Sequence, residues 1–253
     1  MRLVLESHSR IYCVDEHLAY ASLAGLSAHP TAAEVIGYKI PVWAEQLAQP
    51  YLKANELNLQ HPESVTIPNF YRDEKIVFMV RNPLDSVSSM LNLQLENGTW
   101  IRRIGIPVVR QKATALSFAR AYAEDLAYVN SSDEYEVAAA AFYWKFKNAS
   151  LLEYMDRGMP VCAVRYEELV SNPEPVLRRV IEFLELNWEP AVLNHHRLPH
   201  DQLFNGRAIG NTDPTRSIDA RSTGVWKSQL TPAQVQAIAV LTEALERRID
   251  SVL

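Results

Sequence analysis

Cysteine is scarce in this sequence. Only Cys13 and Cys162 occur among the 253 residues, far apart and without a Cys-x-x-Cys pair. They can build neither a disulfide framework nor a cysteine zinc site, and such a composition is typical of a reducing compartment. The start of the chain lacks the apolar segment of a secretory signal, and the apolar run at residues 138–144 is far shorter than the roughly 18 residues of a membrane span. We therefore expect a cytoplasmic protein without a membrane span.

Basic side chains are not in excess either. Lys and Arg number 25 against 30 Asp and Glu, which gives a net charge of −5. Nonspecific binding to nucleic acid or to an anionic membrane needs a basic surface, so the composition argues against both as partners. An anionic ligand would need a local basic site. We expect a small-molecule partner, and the sequence leaves a homodimer open.

Glycine is infrequent as well. The sequence has 8 glycines, none of them clustered, and no Gly-x-x-x-x-Gly-Lys motif. A phosphate loop of that type depends on consecutive backbone N–H groups in a glycine-rich turn, so its absence disfavours a nucleotide kinase. The hydrophobic content of 48% nevertheless supports a single domain over residues 1–253, with a core that needs no disulfide or metal.

Short apolar runs alternate with helical segments along the chain. The runs at residues 34–40, 75–80 and 161–165 predict buried strands, and residues 113–126 and 134–154 have helical spacing. This order predicts an α/β fold, with a parallel sheet flanked by helices.

The C-terminal part of the chain has a different pattern. Pro175 is expected to open an amphipathic helix. Residues 195–222 have no periodicity and predict a loop in which the histidines, His195 among them, are solvated. A capping box at Thr231 and Gln234 predicts a final helix that ends at about Ile249.

The most informative stretch is VRNPLDSVSS, at residues 80–89. It places Arg81 at the carboxyl end of a buried strand, where ligands bind in open α/β sheets. Asn82 then suits an N-cap, Pro83 the first helical position and Asp85 the third. Arg81 and Ser89, on the helix that follows, are predicted to form one phosphate site.

This stretch resembles the 3′-phosphate motif of the sulfotransferase family, Arg-x-Pro-x-Asp-x-x-x-Ser. Three further segments resemble blocks of that family: residues 165–186, the GVWKSQL stretch at 224–230, and residues 6–16, which resemble the helix after the phosphate loop and the acidic residue beyond it. The similarity is to bacterial and tyrosylprotein-type members. It implies a P-loop-NTPase-like α/β domain and 3′-phosphoadenosine 5′-phosphosulfate (PAPS) as the sulfuryl donor, with no metal.

The same resemblance implies roles for individual residues. Glu16 matches the catalytic base of the tyrosylprotein enzymes, and Lys39 matches a lysine that stabilises the transferring group. Cytosolic members place a catalytic histidine where this chain has Pro41, which favours Glu16 as the base. Arg81 and Ser89 are implied to bind the 3′-phosphate.

Further nucleotide contacts are implied by the matching blocks. Tyr166 matches a tyrosine that touches the nucleotide. Arg216, Arg221 and Lys227 are alternative sources of positive charge for the 3′-phosphate, and the sequence does not choose among them. The acceptor hydroxyl could belong to a small molecule, a lipid or a sugar.

One expected element is not found in the sequence. In the family a basic residue and Ser-Gly-Thr-Thr precede the helix that residues 1–5 resemble, and they bind the 5′-phosphosulfate. We expect a missed upstream start, while a strand supplied by another chain and a loss of catalysis stay open. The first hypothesis is a sulfotransferase, and the alternative is a catalytically impaired relative that binds a 3′-phosphonucleotide or a partner without turnover.

Overall fold

The computed structural model describes residues 1–14, 33–38, 75–198 and 213–253. The strands in these ranges are β1 Ile11–Val14, β2 Val35–Tyr38, β3 Ile76–Val80, β4 Gln94–Leu95, β5 Gly98–Thr99 and β6 Val161–Arg165. The α-helices are α1 Arg2–Glu6, α2 Pro83–Asn92, α3 Ile106–Ala113, α4 Leu116–Ala121, α5 Ala123–Ser131, α6 Tyr135–Asp156, α7 Tyr166–Ser171, α8 Pro173–Phe183 and α9 Pro232–Asp250. A π-helix, Ile101–Gly105, and two 3₁₀-helices, Pro190–Arg197 and Val225–Ser228, complete the set.

The described strands form three two-stranded sheets, β1 with β2, β3 with β6 and β4 with β5. The first pair is parallel, with Ile11 opposite Val35 and Val14 opposite Tyr38, whereas β4 and β5 are antiparallel. Strands and helices alternate along the chain, which confirms the α/β class. The three predicted strands are confirmed, and β6 has the predicted bounds, but β3 and β6 are mostly half-buried where full burial was expected.

The chain divides into two compact units, and the division passes through β3 and β6. Unit 1 contains residues 1–76, 158–162 and 172–218, and unit 2 contains residues 77–157, 163–171 and 219–253. The single domain expected over residues 1–253 stays a prediction.

In unit 1, the chain after α1 differs from the expected helix. α1 ends at Glu6, and Ile11–Val14 is a strand, so the resemblance of residues 6–16 to a helix is wrong over this stretch. Ile11, Cys13 and Val14 are buried. β-branched and aromatic side chains suit a pleated and partly buried surface, and pairing with β2 supplies the backbone hydrogen bonds.

The turn between α1 and β1 is tied to the chain near residue 189. Buried His8 contacts the carbonyl of Asn187 through Nε2 at 2.8 Å, and the backbone N–H of Ser9 donates to Glu189 at 2.8 Å. His195 is also buried, within a 3₁₀-helix, so the expectation of a solvated histidine there is wrong. Val192 on the same helix is fully buried and brings the segment into the core.

Helix α6 is the core of unit 2. Seven consecutive residues, 138–144, are buried, so the helix is covered on every side, as expected for a helix inside a core. Phe142 and Phe146 pack edge-on against each other and against Phe118. The longest apolar run of the sequence is therefore the centre of this core, and no helix in the described ranges combines the length and hydropathy needed to cross a bilayer.

Two predicted helices show how local signals set helix ends. The segment 113–126 is divided into α4 and α5 because Tyr122 leaves the helical conformation at φ −121° and ψ 30°. In α9, the predicted capping box is present. Thr231 accepts from the N–H of Gln234, whose side chain accepts from the N–H of Thr231.

Both cysteines are buried thiols. Burial, reinforced by the nearby Glu6 carboxylate, raises the pKa of Cys13 to about 12. Burial also raises the pKa of Cys162, against the opposing effect of Arg179. Because the thiolate is the nucleophile, both side chains are expected to be chemically inert in the native protein.

We predict that iodoacetamide at pH 8 alkylates both cysteines at least about tenfold more slowly in the native chain than in denaturant, because a neutral buried thiol is a poor nucleophile. Mass spectrometry of quenched time points measures both rates. Equal rates in the two states would contradict the burial of these thiols.

We also predict that Thr231→Ala lowers the free energy of unfolding by about 1 kcal/mol, since the N-cap acceptor of α9 is lost. Gln236→Ala, at an exposed position of the same helix, is the matched control and is expected to change stability by less than about 0.5 kcal/mol. Urea denaturation measures both, and similar values for the two variants would show that the capping box does not stabilise α9.

Candidate active site

The candidate site begins where β3 ends and α2 begins, in unit 2. Asn82 caps α2, because its side-chain oxygen accepts from the N–H groups of Leu84 at 2.9 Å and Asp85 at 3.3 Å. Pro83 occupies the start of the helix, as predicted. Local sequence thus fixes the direction in which Arg81 leaves the strand.

The guanidinium of Arg81 is held on two sides. Its Nη2 donates to the carbonyl of Ser222, and its Cζ lies 4.9 Å from the centre of the Tyr166 ring. A guanidinium at this distance from an aromatic face is attracted by the ring quadrupole. In the described residues, the buried Nε of Arg81 has no hydrogen-bond partner. The described residues thus leave this donor of the cation without an acceptor.

The backbone of Arg81 is braced from the core helix α6. The indole Nε1 of Trp144, a side chain that is 4% exposed, donates to the carbonyl of Arg81 at 2.9 Å. The carbonyl of Trp144 in turn accepts from Nδ2 of Asn148 at 2.8 Å. The end of β3 is thus tied to the most buried part of the unit.

Two carboxylates lie at this corner, and backbone N–H groups occupy both. Glu167 accepts from the N–H of Asn82 at 2.9 Å. Asp85, which is 3% exposed, accepts from the N–H groups of Gly224 at 2.7 Å and Trp226 at 3.2 Å. Within the described ranges, Arg81 forms no ion pair with either of them. Among the described residues, neither of these two carboxylates therefore neutralises the positive charge of Arg81 by direct pairing.

Glu167 also faces α9. Burial raises the pKa of Glu246 on that helix, the nearby Arg165 opposes the shift, and Glu167 adds to it. Arg165 forms an ion pair with Asp250 near the end of α9. Glu167 thus adds negative charge near Glu246, and Arg165 partly balances it.

The predicted nucleotide-binding residues fall into two groups. Arg81 and Tyr166 are brought into contact, and Ser89 and Lys227 belong to the same unit. Ser89 is exposed on α2, about 9 Å along the helix from its start, and helical side chains lean toward the N-terminus. That Ser89 and Arg81 bind one phosphate together stays a prediction.

The C-terminal cations differ in their surroundings. Lys227 is exposed on the 3₁₀-helix that follows Gly224. Arg221 forms a two-pronged contact with Asp219, through Nε at 2.9 Å and Nη2 at 2.7 Å. Arg216 belongs to unit 1, whereas Arg221 and Lys227 belong to unit 2. These surroundings favour Lys227 over Arg221 as a cation for a ligand.

The two predicted catalytic residues, Glu16 and Lys39, lie outside the described residues, as does Pro41. Their roles stay predictions.

Sequence reasoning missed the roles of Trp144, Glu167 and the backbone of residues 222–226. Each contact joins residues that are far apart in the chain, with 63 positions between Trp144 and Arg81 and 139 between Asp85 and Gly224. The sequence does contain one signal for them, because Glu167 follows Tyr166 directly and Gly224 begins the GVWK block. These two segments, which both resemble family blocks, indicate a site but not which of their atoms are in contact.

A family model described as the sulfotransferase family matches residues 5–190. The chain belongs to the sulfotransferase family. Arg81, Ser89 and Tyr166 all lie within the matched range, whereas Lys227 lies beyond it.

Individual relatives of this sulfotransferase-family chain are more distant. Protein-tyrosine sulfotransferase A of Caenorhabditis elegans is 30% identical over 89 residues, which are 35% of this chain and 21% of that protein. The match thus spans about a fifth of the length of this curated relative.

Two solved structures are similar to the chain. A sulfotransferase domain from the curacin biosynthetic pathway is 20% identical with a TM-score of 0.44, covering 83% of this chain and 62% of that one. The sulfotransferase domain of the Synechococcus PCC 7002 olefin synthase is 16% identical with a TM-score of 0.48, covering 94% and 88%.

We predict that Trp144→Phe lowers the free energy of unfolding by about 2 kcal/mol, because the Arg81 carbonyl loses its donor and the core loses volume. Trp188→Phe is the control. Trp188 is partly exposed and lies against Arg178, whose Cζ is 4.3 Å from its ring centre, a contact that phenylalanine can keep. Chemical denaturation of both variants measures the difference, and equal losses would contradict a bracing role for Trp144.

Proposed function

We propose that the chain transfers a sulfuryl group from PAPS to a hydroxyl group of a small-molecule, lipid or sugar acceptor. Membership of the sulfotransferase family supports the reaction class. The observation that carries the choice of donor is the state of Arg81, a half-buried cation with an unpartnered Nε and no carboxylate partner in the described residues. An orphaned guanidinium donor fits an oxyanion such as the 3′-phosphate of this nucleotide.

The neighbours of Arg81 support a nucleotide in particular. Tyr166 covers one side of the guanidinium and keeps it oriented. The Ser89 hydroxyl and the Lys227 ammonium are proposed as further ligands of the same 3′-phosphate. Arginine suits this role better than lysine would, because its planar fork can make two parallel hydrogen bonds to one phosphate.

The chemistry of sulfuryl transfer sets the remaining requirements. When bound, PAPS supplies an activated sulfuryl group whose leaving group is a phosphate. The protein has to align the acceptor hydroxyl with the sulfur, remove the proton of that hydroxyl and stabilise negative charge on the leaving oxygen. We propose Glu16 as the base that takes the proton and Lys39 as the cation near the transferring group.

We predict that the chain binds adenosine 3′,5′-bisphosphate more tightly than AMP, and that Arg81→Gln weakens binding of the bisphosphate by about 10- to 100-fold while AMP changes by less than about threefold. Isothermal titration calorimetry measures both ligands. Arg178→Gln is the matched control, since Arg178 is exposed and pairs with Glu174 on its own helix.

Two results would contradict this assignment. The first is that the wild-type chain binds AMP as tightly as the bisphosphate. The second is that Arg81→Gln weakens the binding of both ligands equally. In either case Arg81 would not be a 3′-phosphate ligand.

We also predict that Glu16→Gln lowers turnover by about 100-fold or more without a comparable change in affinity for adenosine 3′,5′-bisphosphate, because a general base contributes to the transition state and not to donor binding. Release of adenosine 3′,5′-bisphosphate from PAPS across a panel of hydroxyl acceptors measures turnover. Unchanged turnover in Glu16→Gln would remove Glu16 from the mechanism while leaving the donor site in place.

A further inference from the structure

Asp85 is buried and makes hydrogen bonds that the helix-start role predicted for it does not require. Its carboxylate is 3% exposed, and both oxygens accept from the backbone, Oδ2 from Gly224 and Oδ1 from Trp226. A buried carboxylate without donors is costly, so these two N–H groups and the carboxylate stabilise each other. The aspartate of the Arg-x-Pro-x-Asp motif thus uses its two oxygens to bind the backbone of the segment 222–227, and not to bind a ligand.

The segment 222–227 connects Arg81 to Lys227. At one end the carbonyl of Ser222 accepts from Nη2 of Arg81. Gly224 then adopts the left-handed conformation, at φ 72°, and opens the 3₁₀-helix that carries Lys227. A methyl group built on Gly224 would lie 4.0 Å from Cε of Lys227, so the lysine side chain turns back over the glycine.

The link between α2 and this segment has a second, separate point of attachment. The hydroxyl of Ser88, which is 1% exposed, donates to the side chain of Gln229, and Asn92 donates to the same oxygen at 3.1 Å. This contact lies beyond Lys227 in the chain. Asp85 therefore holds the backbone before Lys227, at Gly224 and Trp226. The Ser88 contact holds the chain after Lys227, at Gln229.

From these contacts we infer that Asp85 is a positioning residue. It fixes the segment 222–227 so that Lys227 and Arg81 act on the same 3′-phosphate, an inference that rests on the proposed function. Its negative charge is used by backbone donors, so it does not compete with the phosphate for either cation. The two sequence blocks, residues 81–89 and 224–230, are thus parts of one binding element.

The test is a double-mutant cycle on ligand preference. An asparagine at position 85 keeps one acceptor oxygen but turns an N–H donor toward a backbone N–H, so one of the two contacts is lost. Calorimetry measures the affinity for adenosine 3′,5′-bisphosphate and for AMP in the wild type, Asp85→Asn, Lys227→Gln and the double variant.

Asp85→Asn is expected to lower the preference for the bisphosphate by about tenfold, with AMP binding changed by less than about twofold. In the Lys227→Gln background the same change is expected to have little further effect, because the residue through which Asp85 acts is already absent. Thr231→Ala, which weakens the cap of α9 without touching residues 222–227, is the control for general destabilisation and is expected to keep the preference.

Gly224→Ala keeps the test decisive if Asp85→Asn does not fold. Alanine is strained at φ 72°, so this change disturbs the same contact from the other side with the carboxylate intact. It is expected to lower the preference for the bisphosphate in the same way as Asp85→Asn.

The outcomes separate the inference from the proposed function. If the wild-type chain shows no preference for the bisphosphate over AMP, the proposed function fails. If the wild type shows the preference and Asp85→Asn or Gly224→Ala retains it, the positioning role is overturned and the function stands. Effects of Asp85→Asn and Lys227→Gln that multiply in the double variant would also overturn the positioning role.

Discussion

The candidate site depends on one electrostatic arrangement, a guanidinium that pairs with no carboxylate of the described ranges although two carboxylates lie at the same corner. Asp85 and Glu167 would ordinarily pair with a neighbouring arginine, because opposite charges at short range attract strongly in a partly buried site. Here the backbone N–H groups of Asn82, Gly224 and Trp226 donate to these carboxylates instead. These hydrogen bonds stabilise both carboxylates without an ion pair to Arg81.

This arrangement explains why the turn is built from so many elements. β3 delivers Arg81, α7 supplies Tyr166 and Glu167, α6 supplies Trp144, and the segment before α9 supplies Ser222 and Gly224. Each element contributes one or two short contacts, and none of them alone fixes the guanidinium. Precise positioning of this kind is what a family that transfers charged groups requires from its fold.

How much of this could be predicted depends on how local each signal is. The strand at residues 76–80, the Asn82 cap and the Thr231 capping box follow from neighbouring residues, and all three are present. The resemblance of residues 6–16 to a helix is wrong at Ile11–Val14, where β-branched and aromatic side chains favour a strand. The Asp85 contact with Gly224 could not be predicted, since it spans 139 positions and no local pattern specifies which backbone group a buried acid meets.

The position of Trp144 in the middle of α6 has a wider consequence. The alanines around it, at residues 138–141, are at most 1% exposed, and they leave no room for a larger side chain. A substitution there would shift the indole, and with it the carbonyl at the end of β3. The size of the side chains at residues 138–141 is therefore limited twice, once by close packing and once by the position that the indole must keep to reach the Arg81 carbonyl.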